Sequence, residues 1–213
     1  MWLEIIAGAF IGSILSTVIT AYFERLRRPS LSLKIVKVPS VEYTDTNPPK
    51  PARRAQFLYV ALVNNDLKKI GKWFSTRETA SRCQGLITFH RLDGTNLFGR
   101  DMVLRWKNTN EPIGVDVDKY EHITRVDVSP GEEEPFNIAV RFDDEEDCYG
   151  WSNRSYFMPF WRPPDWKLPN GRYLVRVRVI SSGNQCEGLF RLINDVPMKD
   201  FRLESALPGD KII

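Results

Sequence analysis

Positions 3 to 23 read LEIIAGAFIGSILSTVITAYF, a run of 21 residues whose single charge is Glu4. As a helix rising ~1.5 Å per residue the run is about 31 Å long, which matches the ~30 Å hydrocarbon core of a bilayer. A cleaved signal peptide fits less well, because no Lys or Arg precedes the run and no A-x-A pattern follows it. A helix buried in a protein core is the other alternative. The run reads as an uncleaved transmembrane helix, dividing the chain into an anchor over 1–28 and a second domain over 29–213. Arg25, Arg27 and Arg28 follow it, then Lys34 and Lys37, whereas the N-terminal flank offers only the α-amino group against Glu4. Positive charge stays in the cytoplasm, so these arginines set the topology. The expectation is a single-pass protein of the cell membrane, N-terminus outside and C-terminal domain cytoplasmic. Trp2 and Tyr22 stand at the two ends, where amphipathic rings favour the headgroup level.

Inside the run Gly8, Gly12, Ser16 and Thr20 recur every four positions and share one helix face, which Ala9, Ser13, Thr17 and Ala21 widen. Such a stripe lets two backbones approach closely and predicts self-association or packing on another membrane protein. Over the whole chain, 42% apolar residues against 27% charged exclude a disordered protein, and three Cys cannot build a disulfide scaffold. An odd number of thiols suits a reducing compartment. A net charge of +3 is far from the concentrated basicity of a duplex nucleic-acid binder, so no such partner is expected.

Pro29 ends the helix and an alternating segment, Leu31, Leu33 and Ile35, begins at once, leaving no flexible spacer. A Pro-rich stretch over 44–54, holding Arg53 and Arg54, reads as an extended surface loop. Residues 57–63 are apolar on both parities and suit a strand buried on both faces. Cys83, Ile87 and Phe89 alternate with Arg82, Gln84 and Thr88, and positions 103–106 and 123–128 are shorter candidates. Phe136, Ile138, Val140 and Phe142 alternate with Asn137, Ala139 and Arg141. Tyr173, Val175, Val177 and Val179 face in while Arg172, Arg176 and Arg178 face out, and Cys186, Gly188, Phe190 and Leu192 form the last inward set. Seven to eight short strands without an intervening long helix predict an all-β, antiparallel sandwich. Leu168-Pro169-Asn170-Gly171-Arg172-Tyr173 resembles the tyrosine corner of immunoglobulin-like and fibronectin-like sandwiches, where a Tyr near a strand start bonds back to the preceding corner. The resemblance covers about a dozen residues, implies the fold alone, and lacks the Cys, Trp, Cys spacing of true immunoglobulin domains.

Chemistry is sparse. His90 and His122 are the two imidazoles, and Cys83 is seven residues from His90, an odd separation that sets them on opposite faces of a regular strand. Cys83 and Cys186 follow the inward parity and read as buried thiols. No C-x-x-C or H-x-x-x-H supports a metal site, and no G-x-S-x-G, P-loop or G-x-G-x-x-G occurs. No catalytic residue, metal or cofactor is assigned, and the chain reads as a non-enzyme. The acidic run over 143–147 lacks the D-x-D-x-D-G layout of a calcium loop and reads as a solvated tip, while Glu132, Glu133 and Glu134 keep a strand edge soluble. Arg172, Arg176 and Arg178, with Arg53, Arg54, Lys68, Lys69 and Lys72, form either a basic surface facing anionic lipid or a solvated strand face.

The most unusual segment follows. Tyr149, Trp151, Tyr156, Phe157, Phe160, Trp161 and Trp166 lie among Arg154, Arg162, Gly150, Pro159, Pro163 and Pro164. It either caps the sandwich with a satellite core or presents aromatic faces to a ligand. In the second case Trp151, Tyr156, Trp161 and Arg162 are the candidate ligand-binding residues. The functional expectation is an interaction or scaffold subunit of a membrane assembly, with the bilayer and a second copy or another membrane protein as partners. The alternative is an effector that oligomerises in the bilayer when the cytosolic domain binds a small anionic or nucleotide-like ligand.

Overall fold

Period-two alternation builds two antiparallel sheets that face one another across a shared apolar core. The computed structural model describes the backbone of residues 2–43, 53–73, 75–111 and 125–212, and the side chains of these except 2–9, 11, 42, 43, 53, 69 and 70. The elements in order are α1 (Trp2–Arg27), β1 (Leu31–Val36), β2 (Val41–Tyr43), β3 (Arg53–Asn64), α2 (Lys69–Lys72), β4 (Ala80–His90), β5 (Met102–Val103), β6 (Arg105–Trp106) and β7 (Val126–Val128). They continue with β8 (Glu133–Phe142), β9 (Cys148–Gly150), β10 (Lys167–Leu168), β11 (Arg172–Ser181), β12 (Asn184–Ile193) and β13 (Arg202–Ser205). One sheet has seven strands along β1-β3-β8-β9-β10, with β2 on β3 and β6 on β8. The other has six along β13-β12-β11-β4-β5, with β7 on β4. Strands of two or three residues raise the number above the seven to eight expected. The Pro-rich stretch over 44–52 lies outside the described residues, and Arg53 and Arg54 open β3 instead of belonging to that loop.

The inward sets of β4 and β11 meet as expected, with Ile87, Phe89, Val175, Val177 and Val179 fully buried in the main core. Between Met102 and Trp106 the chain changes sheets: Val103 stands opposite Leu86, whereas Arg105 stands opposite Asn137. Leu104, fully buried, is the crossing residue.

Strand β8 departs from its expected face. Leu58 stands opposite Ala139 and Tyr59 opposite Asn137, so Ile138 is a bulged residue with no counterpart. One extra residue reverses the parity beyond it. Phe136, Ile138 and Ala139 join the main core, while Val140 and Phe142 turn to the other face and build a second cluster with Ala55, Tyr149 and Trp151. Arg141, expected outside, is buried and donates through its guanidinium to the carbonyls of Asn194 (3.3 Å) and Val196 (2.6 Å).

Among the described side chains of helix α1, Phe10, Ile14, Leu15, Val18, Ile19 and Tyr22 are all exposed, Phe10 to 66%, whereas Phe23 and Leu26 near the sandwich are partly covered. Among the described residues no helix is long and apolar enough to cross a membrane. Side chains at 3–9 and 11 lie outside that description, and the described part ends in Glu24, Arg25 and Arg27, so it falls short of the span expected over 3–23.

Candidate functional site

Two places stand out, and they occupy opposite ends of the sandwich. The first is the junction of α1 with the sheets. The last carbonyls of a helix lack intrahelical donors, and here the sandwich supplies them. The Glu78 amide donates to Arg27 O (2.7 Å), the Arg77 guanidinium to Arg28 O (2.8 Å), and the Asn184 side-chain amide to Pro29 O (2.6 Å). Ser30 is held by three more bonds, its N–H donating to Asn64 Oδ1 (3.1 Å) and its carbonyl accepting from the backbone N–H and the Nδ2 of Asn65 (2.8 Å each).

Asn64 organises this end. It is fully buried; its Nδ2 donates to Glu78 O (3.0 Å) and Val128 O (3.1 Å), its backbone N–H to Glu132 O (3.2 Å), and its carbonyl accepts from Gly131 (2.7 Å). One side chain thus ties β3, β7, the segment before β4 and the helix exit together. The expected absence of a spacer is met by a bonded joint that fixes the direction of α1. Asn64, Asn184, Arg77 and Glu78 were not legible as such in the sequence, since their partners lie 14 to 155 positions away; an Asn-Asn-Asp run ending a buried strand signals only a turn.

Of the helix residues singled out, Gly12, Ser16 and Thr20 are exposed along α1, and nothing lies within 4 Å of a Cβ placed on Gly12. Gly8 lies on the helix, outside the residues whose surroundings are described. Arg25, Arg27 and Arg28 are exposed at its domain end.

The second place is the aromatic segment, which folds as three 3-10 turns: Asn153–Phe157 and Pro159–Trp161 pack through Tyr156 and Trp161 on the outer cluster of the seven-stranded sheet, whereas Pro164–Trp166 sends Trp166 into the main core against Phe89 and Phe98. The β8 bulge creates its seat by turning Val140 and Phe142 outward. Trp151 is 1% exposed and meets Phe57, Tyr156 and Trp161 with ring centroids 5.0, 5.3 and 6.2 Å away. Phe160 and Trp161 both have left-handed backbones, φ 55° and 62°, a conformation that L side chains rarely adopt.

Arg162 closes the segment. Its Nε donates to Glu145 Oε1 (2.6 Å) and its second nitrogen to Asp144 Oδ1 (2.8 Å), and its guanidinium lies 4.2 Å from the Phe142 ring centroid. The acidic run is exposed at Asp143, Asp144 and Glu146, as a solvated tip would be, and it also serves as a clasp. Asp143 accepts from the Arg54 amide (3.0 Å), Glu145 from the Tyr149 hydroxyl (2.9 Å), Glu146 from Asn170 (3.2 Å), and Asp147 pairs with Lys167 (2.7 Å). Beside Glu145, burial and the carboxylate's hydrogen bond push the Tyr149 hydroxyl well above its usual pKa. Trp151, Tyr156, Trp161 and Arg162 are brought together, but onto one another and this clasp.

Other titratable groups among the described residues are engaged within the fold. The two His90 ring nitrogens bond Thr88 Oγ1 (2.8 Å) and Gly94 O (3.0 Å). Burial pushes the Cys83 thiol up to about 11 and raises Cys148 and Cys186 as well. The outward arginines of β11 are paired, Arg172 with Asp195, Arg176 with Glu187 and Arg178 with Asp101. Tyr173 donates from its hydroxyl to Pro169 O at 2.7 Å, the back-bond of a tyrosine corner. Compared with protein-family models, curated proteins and solved structures, the chain matches none of them.

Proposed function

We propose that this chain is a single-pass membrane protein whose β-sandwich, of immunoglobulin-like or fibronectin-like kind, is held rigidly at the cytoplasmic face of the bilayer. It serves there as an interaction or scaffold subunit. The observation that carries the reading is the nakedness of α1. A helix apolar on every side belongs in a protein core or in lipid, and the sandwich covers none of the described apolar side chains before Phe23. Lipid is the solvent that accepts them. The bonded joint at Asn64 supports a role in which orientation matters, because helix packing in the bilayer sets the direction in which the domain is presented. The face of Gly8, Gly12, Ser16 and Thr20 supplies the packing surface, with a second copy or another membrane protein as its partner.

The ligand-sensing alternative is the less supported, since its aromatic faces are spent on one another. The full chain, purified in mild detergent and sized by light scattering, tests the scaffold reading through Gly12→Leu. The variant should run at a smaller assembly mass than the parent while melting at the same temperature. An unchanged mass, or extraction of the parent chain from membranes by alkaline carbonate, would sink it.

A further inference from the structure

The exposed Trp73 is not explained by the sandwich. It is 89% exposed, the most solvent-accessible large apolar side chain among the described residues, and it follows α2 directly in a basic segment, Lys68-Lys69-Ile70-Gly71-Lys72. This segment holds a particular place on the surface. Leu67, Lys68, Gly71 and Arg77 line a groove of about 540 Å³ together with Tyr22, Phe23 and Leu26 of α1. Tyr22 is five residues before the end of α1, about 7.5 Å along the axis at ~1.5 Å per residue. The loop therefore climbs beside the helix to the level at which the apolar run ends.

We infer that the α2 loop is a second membrane contact, in which Trp73 sits in the headgroup layer of the leaflet entered by α1 and Lys68 faces its anionic phosphates. This rests on the membrane reading above and adds the surface that sets the domain's tilt. An indole in water gains by moving to the interface, where its apolar face is covered and its N–H remains wet. A lysine beside it keeps its ammonium at the phosphates while its stem lies along the apolar layer. Lys72, paired with Asp66, and Arg77, bonded to Arg28 O, stiffen the loop's two ends. A helix alone leaves the domain free to lean; a helix plus a rigid loop bonded to the same joint does not.

The full chain in phosphatidylcholine–phosphatidylserine vesicles, with acyl chains brominated near the headgroup, tests this by tryptophan fluorescence. Parent, Trp73→Phe and Trp2→Phe are compared, with alkaline carbonate extraction run in parallel. The expected result is a chain that resists extraction, with a quenched component lost in Trp73→Phe and a separate one lost in Trp2→Phe. If the chain resists extraction and Trp2 is quenched while Trp73→Phe changes nothing, the loop contact is wrong and the anchor stands. If the chain is extracted and neither residue is quenched, both readings fall. A Trp73 shielded from aqueous iodide yet unquenched by bromolipid would mean that protein covers it, which also overturns the inference.

Discussion

Leu104 lies so close over Gly85 that a Cβ on the glycine would sit 1.8 Å from Leu104 Cδ2, while the Leu104 N–H donates to Gly85 O at 3.0 Å. Leu104 is the residue at which the chain passes from one sheet to the other, and it is fully buried, so it has nowhere to retreat. Gly85→Ala should therefore destabilise the chain by at least about 1–3 kcal/mol through overpacking. Leu104→Ala should cost about 2–5 kcal/mol through the cavity it leaves. The double variant should lose clearly less than the sum, because the added methyl enters the vacated space. Urea melts of the four proteins check this, and additive losses would show that the two residues are not coupled.

Arg162 fastens the aromatic segment to the acidic run with two short charge-assisted bonds. Arg162→Ala should loosen residues 153–162 without unfolding the sandwich, costing about 1–2 kcal/mol locally, or roughly tenfold faster amide exchange there. Arg162→Lys should recover little, since an ammonium cannot serve Asp144 and Glu145 as a planar fork. Exchange mapped by mass spectrometry reads both; unchanged protection over 153–162 in Arg162→Ala contradicts the clasp.

The three thiols should be unreactive for different lengths of time. Burial raises all three, with Cys83 at about 11 and Cys148 wholly enclosed. Cys186 is the most accessible of them. Iodoacetamide at pH 8 should label Cys186 first and reach Cys83 and Cys148 only as the chain opens, whereas urea should equalise all three. Early labelling of Cys148, identified by peptide mapping, would contradict its placement.

At the C-terminal end Arg191 grips Asp210 through two nitrogens at 2.6 and 2.7 Å, and Asp210 also accepts from the Leu207 amide at 2.7 Å. The guanidinium bond holds the Asp210 carboxyl below its ordinary value of 3.8. A depressed folded-state pKa contributes stability that is fully present above the unfolded value and disappears as pH falls through the folded one. The tail over 206–210 should thus remain protected at neutral pH and loosen only below about pH 3.8. Asp210→Asn should remove that step. Amide exchange of the tail against pH measures it, and loosening well above that pH in the parent would count against the grip.

Much of the sandwich could be read from alternation, because a strand buried on one face must repeat every two residues whatever its neighbours do. Tyr173, Val175, Val177 and Val179 on β11 and Cys83, Ile87 and Phe89 on β4 announced their burial in this way, and Pro169 to Tyr173 announced the corner. The same rule misled at Val140 and Phe142. A bulge is a disagreement between two strands, and β8 alone carries no mark that Ile138 would lack a partner on β3. The candidate aromatic residues were visible as a composition, but whether they face a ligand or one another depended on that bulge. The acidic run read only as a solvated tip because its partners Arg162, Arg54 and Lys167 come to it from other parts of the chain.

By itself the sequence determined the apolar run, the basic flank, the periodicity and therefore the elements, since each depends on residues within one or two turns of each other. Only the tertiary structure decided the joint at Asn64, the crossing at Leu104, the clasp at Arg162 and the position of Leu67, Lys68 and Gly71 beside the end of α1. Each of these is a meeting of side chains far apart in sequence, and hydrogen-bond geometry and close packing, which select such meetings, leave no local trace in the chain.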